Sequence, residues 1–418
     1  MPPSERSRLP GRVRLLIAAR AVNQLGAFSL AFLTVLLNRD LGASLTAAGA
    51  VSAAFGLATI PSRLLGGRLA DRWGRRRTIL AGLTGCAAAQ LGLAAAPGPA
   101  VAAVFAVLLG LAFELYEPPS QAMIADAVAP ADRTSAYALL TTALAVGNLG
   151  AGLIADAVGH SSLRWLFVAD AASCLACALV VRLALEETAP RPAPAATATP
   201  WRDRALLTMT ATGTVFALVY MLTLVSLPLS LGADGINPAD TGLLMVAATG
   251  TLVLARPALR TRPLASLAAG PAFAAGYALM AAGLAGYAVA HTLPALIAPT
   301  ALYSLGNLLL MGRAFAVVSA LAPAGAAAGY LAVYGLSWGF ATVLAPLLGT
   351  WLIGAFGPGA LWAATSGLCV AMGAAQPRLL RRISRPRPPA TAASGHWSPP
   401  DCCSREHARS GRRQSAAH

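Results

Sequence analysis

The chain has no lysine; all 31 of its basic residues are arginine. A nucleotide-binding loop of the G-x-x-x-x-G-K-[ST] form is therefore impossible, and with it direct ATP drive by this chain. Charge of either sign is scarce, at 11% of residues, where soluble domains carry about 25%. Neither an H-E-x-x-H zinc helix nor a G-x-S-x-G elbow occurs, so the chain is not expected to be an enzyme. Cysteine offers no disulfide framework either. Cys86, Cys174, Cys177 and Cys369 lie inside apolar runs, where the thiol acts as a small hydrophobe. Cys174 and Cys177 have C-x-x-C spacing but no polar neighbours to activate a thiolate. Cys402 and Cys403 fall in a polar tail. No cofactor, redox centre or metal site is expected.

What is present is hydrocarbon: 57% of residues are hydrophobic and the mean hydropathy is +0.65. A membrane-spanning helix needs about 20 mostly apolar residues. Twelve such segments can be drawn, at 13–38, 45–66, 78–96, 100–127, 134–158 and 163–185, then 205–231, 240–258, 264–290, 293–322, 327–355 and 358–376. None shows the two-residue alternation of a barrel strand, so all are expected to be helices. The first follows Arg6, Arg8, Arg12 and Arg14 but is too long for a leader's apolar core, and reads as a first span.

A net charge of +15 would suit a nucleic-acid binder. Here the arginines instead crowd alternate gaps between apolar runs and the two ends, so no nucleic-acid partner is expected. The gaps facing the other way hold only Arg39 and Arg164. By the positive-inside rule, both termini are expected to be cytoplasmic, and the expected protein is a multi-pass cell-membrane protein with the bilayer as its partner. The halves also resemble each other: Ala129-Pro130 followed by Tyr137 is echoed by Ala322-Pro323 followed by Tyr330. The expected architecture is an all-α membrane protein of 12 helices in two pseudo-symmetric six-helix bundles. Residues 13–185 and 205–377 form the bundles, 186–204 a Pro-rich cytoplasmic linker, 1–12 a short tail, and 378–418 a basic disordered tail.

Between the second and third segments lies Gly67-Arg68-Leu69-Ala70-Asp71-Arg72-Trp73-Gly74-Arg75-Arg76-Arg77, five arginines and one aspartate in a turn that cannot sit in hydrocarbon. The pattern G-x-L-A-D-R-x-G-R-R resembles the signature of the major facilitator superfamily. Gln121 to Asp126 with Pro130 and Arg133, Arg164-Trp165-Leu166-Phe167 leading to Asp170, and Gly329-Tyr330 through Trp338, Pro346 and Gly349 are similar to its fourth, sixth and eleventh helices. The chain looks like a bacterial drug:proton antiporter. It departs from that pattern on the fifth helix, where Gly147-Asn148 replaces a Gly-Pro pair, and in the eighth-to-ninth turn, which has Arg256, Arg260 and Arg262 but no aspartate. The resemblance implies alternating access, with Gly67, Asp71, Arg72, Gly74, Arg75, Arg76 and Asp126 forming a conformational gate.

Ionisable residues inside the bilayer are functional candidates by default. Glu114 and Glu117, three apart, are expected to share a helix face, and Pro118-Pro119 to bend that helix. Together with Asp170 they are the proton-coupling candidates. Arg20 lies at the depth of Glu117 and is expected to pair with it. In this fold the first, fourth, seventh and tenth helices line a central cavity, which makes Arg20, Asn23, Gln24, Tyr220, Tyr303, Asn307 and Arg313 the candidates for contacting a small-molecule substrate. Arg313 is expected opposite Glu117 across the pseudo-axis. Asp156 and His160 are expected to be solvated at the outer edge. The leading expectation is proton-driven efflux of a small amphipathic molecule by a monomer, the proton being the coupling ion. Uptake of a metabolite gripped by Arg20 and Arg313, and a non-transporting sensor of the same fold, are the alternatives.

Overall fold

The computed structural model describes residues 10–26, 29–126, 128, 133–184, 200–259, 268–323 and 327–383; the side chains of Asp126, Arg133 and Arg256 lie outside the description. Among the described residues, eleven helices are long and apolar enough to cross a membrane. The twelfth span is the first in the chain, and it is broken. It consists of α1 (Gly11–Gln24), α2 (Ser29–Val35) and a π-helical turn (Leu36–Asp40). Then follow α3 (Leu45–Trp73), α4 (Arg75–Ala95), α5 (Pro99–Phe113), α6 (Glu117–Asp126), α7 (Arg133–Gly159) and α8 (Arg164–Ala184). The second half holds α9 (Arg204–Ala233), α10 (Thr241–Leu259), α11 (Ala269–Val289), α12 (Leu293–Leu321), α13 (Ala327–Phe356) and α14 (Pro358–Ile383). Segments α5 and α6 together make the fourth span.

Helix packing repeats with a shift of six spans. The first span packs on the fifth and sixth, the second on the fourth, and the third on the fourth and sixth. In the second half the seventh packs on the eleventh and twelfth, the eighth on the tenth, and the ninth on the tenth and twelfth. Each half buries its own apolar cluster, with Leu30, Leu224 and Ile353 touching both. Between halves, the second span meets the eleventh, the fifth meets the eighth, and α2 meets α9. Those three pairings map onto one another under the same shift, which defines a two-fold pseudo-axis running between the bundles.

Two breaks place backbone groups at mid-membrane, and both are satisfied by neighbouring hydroxyls, as an apolar medium requires. Below α1, Ser173 Oγ donates to the Asn23 carbonyl at 3.2 Å. In the fourth span the helix stops at Glu114–Tyr116, and the Glu114 amide donates to Ser62 Oγ at 3.1 Å. The bend expected from Pro118-Pro119 occurs, but just before the prolines. They sit in the first turn of α6, where a missing amide proton costs nothing. Gly66 on α3 and Gly82 on α4 make room for the broken segment, since a Cβ on them would lie 2.8 Å from the Leu115 carbonyl and 3.1 Å from Tyr116.

The arginine-rich turn is shorter than its sequence suggests. Helix α3 runs through Gly67, Asp71 and Arg72 to Trp73, and the reversal falls on Gly74 alone. Gly74 adopts φ +91°, a backbone conformation costly for other residues. At the other end, α14 continues to Ile383, so the segment from residue 378 begins as helix rather than as the expected disordered tail. The rest of that tail, and most of the 186–204 linker, lie outside the described residues.

Candidate functional site: a cavity between two bundles

A cavity of about 480 Å³ lies on the pseudo-axis. The first half contributes Gln24, Leu30, Ala31, Phe113 and Asn148; the remaining wall comes from the second half. Tyr220, Tyr303 and Asn307 line it as expected, joined by Tyr287, Trp338, Met221, Met245 and Met311. No lining residue is charged. Aromatic edges define one side: the Tyr220 and Trp338 rings meet at 5.2 Å and 73°. The polar groups are amides and hydroxyls. Gln24 Nε2 donates to Asn148 Oδ1 at 2.7 Å, and Asn307 Oδ1 is buried with no hydrogen-bond partner. Asn148, Tyr287 and Trp338 were not singled out from the sequence as cavity residues. Only the Gly147-Asn148 departure on the fifth helix could have flagged the first of them.

The intramembrane charges are arranged differently. Arg20 is buried inside the first bundle, pairs with Glu117 and lies 4.8 Å over the Tyr116 ring. Its Nη1 donates to Asn23 Oδ1 at 3.2 Å, and Asn23 in turn reaches Cys174 Sγ. Gln121 Nε2 donates to the second oxygen of Glu117 at 2.8 Å. The expected Arg20–Glu117 pair thus exists, but neither member, nor Asn23, lines the cavity. The shared face expected for Glu114 and Glu117 does not form, because the helix breaks between them. Glu114 instead pairs with Arg63 of α3 at 3.2 Å. It lines a second space of about 340 Å³ between the second and eleventh spans. That space shares Leu30, Phe113, Met221 and Trp338 with the central cavity, so the two adjoin. Arg313 turns back onto its own helix, Nη1 donating to the Leu309 carbonyl at 3.4 Å, and does not meet Glu117. Asp170 is 4% exposed, packed where the sixth span meets the first, and lines neither space.

Because Arg20 is held by a carboxylate in a buried setting, neutralising its partner leaves a charge without compensation. Glu117→Gln is expected to cost about 3 kcal/mol, the low end for breaking such a pair since Glu117 is partly exposed. A lower melting temperature in detergent, largely restored by pairing Glu117→Leu with Arg20→Met, is the outcome to look for. An unchanged melting temperature would remove the structural role.

Among the described residues, the bundles press together at one face and stand further apart at the other. Away from the arginine-rich turn, the bundles touch backbone to backbone. A Cβ on Gly242 would lie 2.2 Å from the Gly152 carbonyl, and one on Gly49 2.9 Å from the Pro346 carbonyl. Arg39 donates to the Gly232 carbonyl, and His160 Nε2 lies 3.0 Å from Asp240 Oδ1. The Asp156 carbonyl at Nδ1, then the nearby carboxylates, hold the His160 imidazole above its usual pKa. Towards the arginine-rich face, Gly335 and Gly339 only graze Arg63 and Ile60 at 3.9 and 4.0 Å, and Gly67 and Gly250 meet nothing. Asp71 is exposed and has no hydrogen-bond or ion-pair partner among the described residues. Arg76 donates to the Arg182 carbonyl within the first bundle.

Two pseudo-symmetric helical bundles around a central cavity define the architecture of a membrane transporter. The model of the Major Facilitator Superfamily matches residues 16–263, and the chain belongs to that family. An uncharacterised MFS-type transporter of Bacillus subtilis, YhjO, is 27% identical over 370 residues, spanning 85% of this chain and 89% of the relative. Puromycin resistance protein pur8 of Streptomyces alboniger is 34% identical over 150 residues, 35% of this chain and 29% of its own length. A crystal structure of the peptide transporter POT superposes with a TM-score of 0.75 at 17% identity, covering 90% of this chain and 95% of that one. The POT family transporter PepTSo gives 0.74 at 14% identity.

Proposed function

We propose that this transporter exports small amphipathic molecules, neutral or weakly cationic, in exchange for protons entering the cell. The observation that carries this reading is the chemistry of the central wall: aromatic and thioether surface with scattered amides and no fixed charge. Such a wall rewards apolar area and a few hydrogen bonds, and offers no counter-charge to a phosphate or carboxylate. Uptake of a carboxylate would need Arg20 or Arg313 at the wall, and neither lines it. The partial relative bearing the name of a puromycin resistance protein supports cargo of this kind. In this reading the arginine-rich face is cytoplasmic, and the structure is open inward to load cargo. The Asp71, Arg75 and Asp126 cluster engages when that face closes.

Proteoliposomes test direction and coupling together. In vesicles with the arginine-rich face outward and an acidic lumen, puromycin or a lipophilic amine should accumulate inside as protons leave. Flux indifferent to collapse of the gradient would remove proton exchange, and net movement the other way would favour uptake.

A further inference from the structure

At the closed face, three metal-ligating side chains from both halves meet. Asp156 and His160 stand one turn apart at the end of α7, so their side chains share a face. Asp240 ends a short 3₁₀ turn, Pro238–Asp240, that leads into α10 and is capped by Asn237 Oδ1 accepting from the Ala239 amide. Gly159 admits this turn: a Cβ there would lie 2.8 Å from that of Ala239. One ligand atom from each of Asp156, His160 and Asp240 lies within 4.8 Å of the other two.

The ring is oriented by partners on both of its nitrogens. His160 Nδ1 sits against the Asp156 backbone carbonyl, which can only accept, so Nδ1 carries a hydrogen. On its other side Nε2 faces Asp240 Oδ1 at 3.0 Å. The remaining carboxylate converges on the same ring: Asp156 Oδ1 is shielded from solvent, makes no hydrogen bond and lies 3.9 Å from His160 Nδ1. An imidazole whose other nitrogen donates to a backbone carbonyl is the usual arrangement of a metal-bound histidine.

We propose that Asp156, His160 and Asp240 form a binding site for a divalent transition ion of the zinc class, bridging the two bundles. One imidazole and two carboxylates supply three ligands and two negative charges, leaving a fourth position for water. Tetrahedral zinc places its ligands about 3.3 Å apart, close to the separation the ring and Asp240 already have. His160 is the half-exposed member through which an ion enters from solution. Since Asp240 comes from the second half and its partners from the first, the site exists only while this face is shut. Bound metal therefore clasps it and arrests the cycle. The sequence alone expected no metal, because 80 residues separate His160 from Asp240 and only the bundle interface joins them.

The test uses the full chain without an affinity tag, with Cys402 and Cys403 replaced by serine so that the tail cannot hold zinc. After chelator treatment, zinc is titrated by calorimetry, and the outer face is followed by the distance between spin labels on Ser161→Cys and Ala233→Cys. One equivalent should bind, and the label distance should narrow towards its closed value. His160→Gln and Asp240→Asn should each weaken binding beyond the ~10–100-fold expected for an outer-shell partner, and zinc should no longer narrow the distance. Metal-free melting temperatures confirm that the variants fold. Equal binding by Asp240→Asn, or one-to-one binding that leaves the distance unchanged, overturns the proposal. So does absence of zinc binding with a face that His160→Gln alone opens, which would make the bridging cation a proton.

Discussion

Glu114→Gln is expected to abolish gradient-driven flux, to the level of protein-free vesicles, while cargo still exchanges across the membrane. Among the described residues, the carboxylate is the one acidic group lining a space that adjoins the cargo cavity. Its partner Arg63 is itself half exposed, so the pair can open to water, unlike Arg20 and Glu117. Glu117 has both oxygens occupied, by Arg20 and Gln121, and gives up its charge only by stranding a buried guanidinium. Glu114 protonation instead releases its hold on Arg63 of α3, the helix that meets α13 across the bundles. That gives proton binding a mechanical consequence at the gap between the bundles. Glutamine mimics the protonated state permanently, so the chain can cycle with cargo on both strokes but has nothing to hand a proton to. Exchange of labelled for unlabelled cargo, measured beside flux driven by an acid lumen, separates the two activities. If gradient-driven flux survives in Glu114→Gln, the coupling site lies elsewhere, and Glu117 or Asp170 must be tested next.

The fold was legible because its signals are long and local. Each span is an apolar run of about 20 residues, and the repeated Ala-Pro and Tyr pairs marked the halves before any helix was placed. The Arg20–Glu117 pair was legible too, since two opposite charges at one depth in hydrocarbon have few other partners. What failed depended on interruptions. Periodicity assumes an unbroken helix, and the stop at Glu114–Tyr116 sends Glu114 and Glu117 to different arginines. Pro118 and Pro119 announced a break, but proline is tolerated at a helix start as readily as it disrupts an interior, so its exact register stayed open. Arg20 and Arg313 were assigned to the cavity from their helices, whereas lining depends on rotation about the helix axis. Asp156 and His160 were expected to be solvated because they lie at a span end. His160 is exposed as expected, but its contact with Asp240 comes from a turn in the other half, which no local pattern encodes.

Gly242→Val should shift the resting state so that the closed face opens and the arginine-rich face shuts. At this crossing the bundles meet through main chain: a Cβ on Gly242 would stand 2.2 Å from the Gly152 carbonyl and 2.6 Å from the Asp156 amide nitrogen. No side chain can rotate away, so the bundles must separate here. Overpacking of this kind costs about 1–3 kcal/mol, which is ~5- to 150-fold in the ratio of two states. The cost falls on one conformation and not on the fold, because Gly152 and Gly242 belong to different bundles that are each packed independently. A control makes the distinction: Gly306 presses on the Gly276 carbonyl inside one bundle, so Gly306→Val should lower the melting temperature instead. In Gly242→Val the distance between spin labels at Ser161 and Ala233 should lengthen, and cargo flux should fall with the loss of one stroke. The gate role of Asp71 can be read from the same background. If its carboxylate holds the arginine-rich face shut once the other face opens, adding Asp71→Asn should return the labels towards their shorter distance. A Gly242→Val protein whose labels stay at the wild-type distance would mean that the glycine crossing does not govern closure.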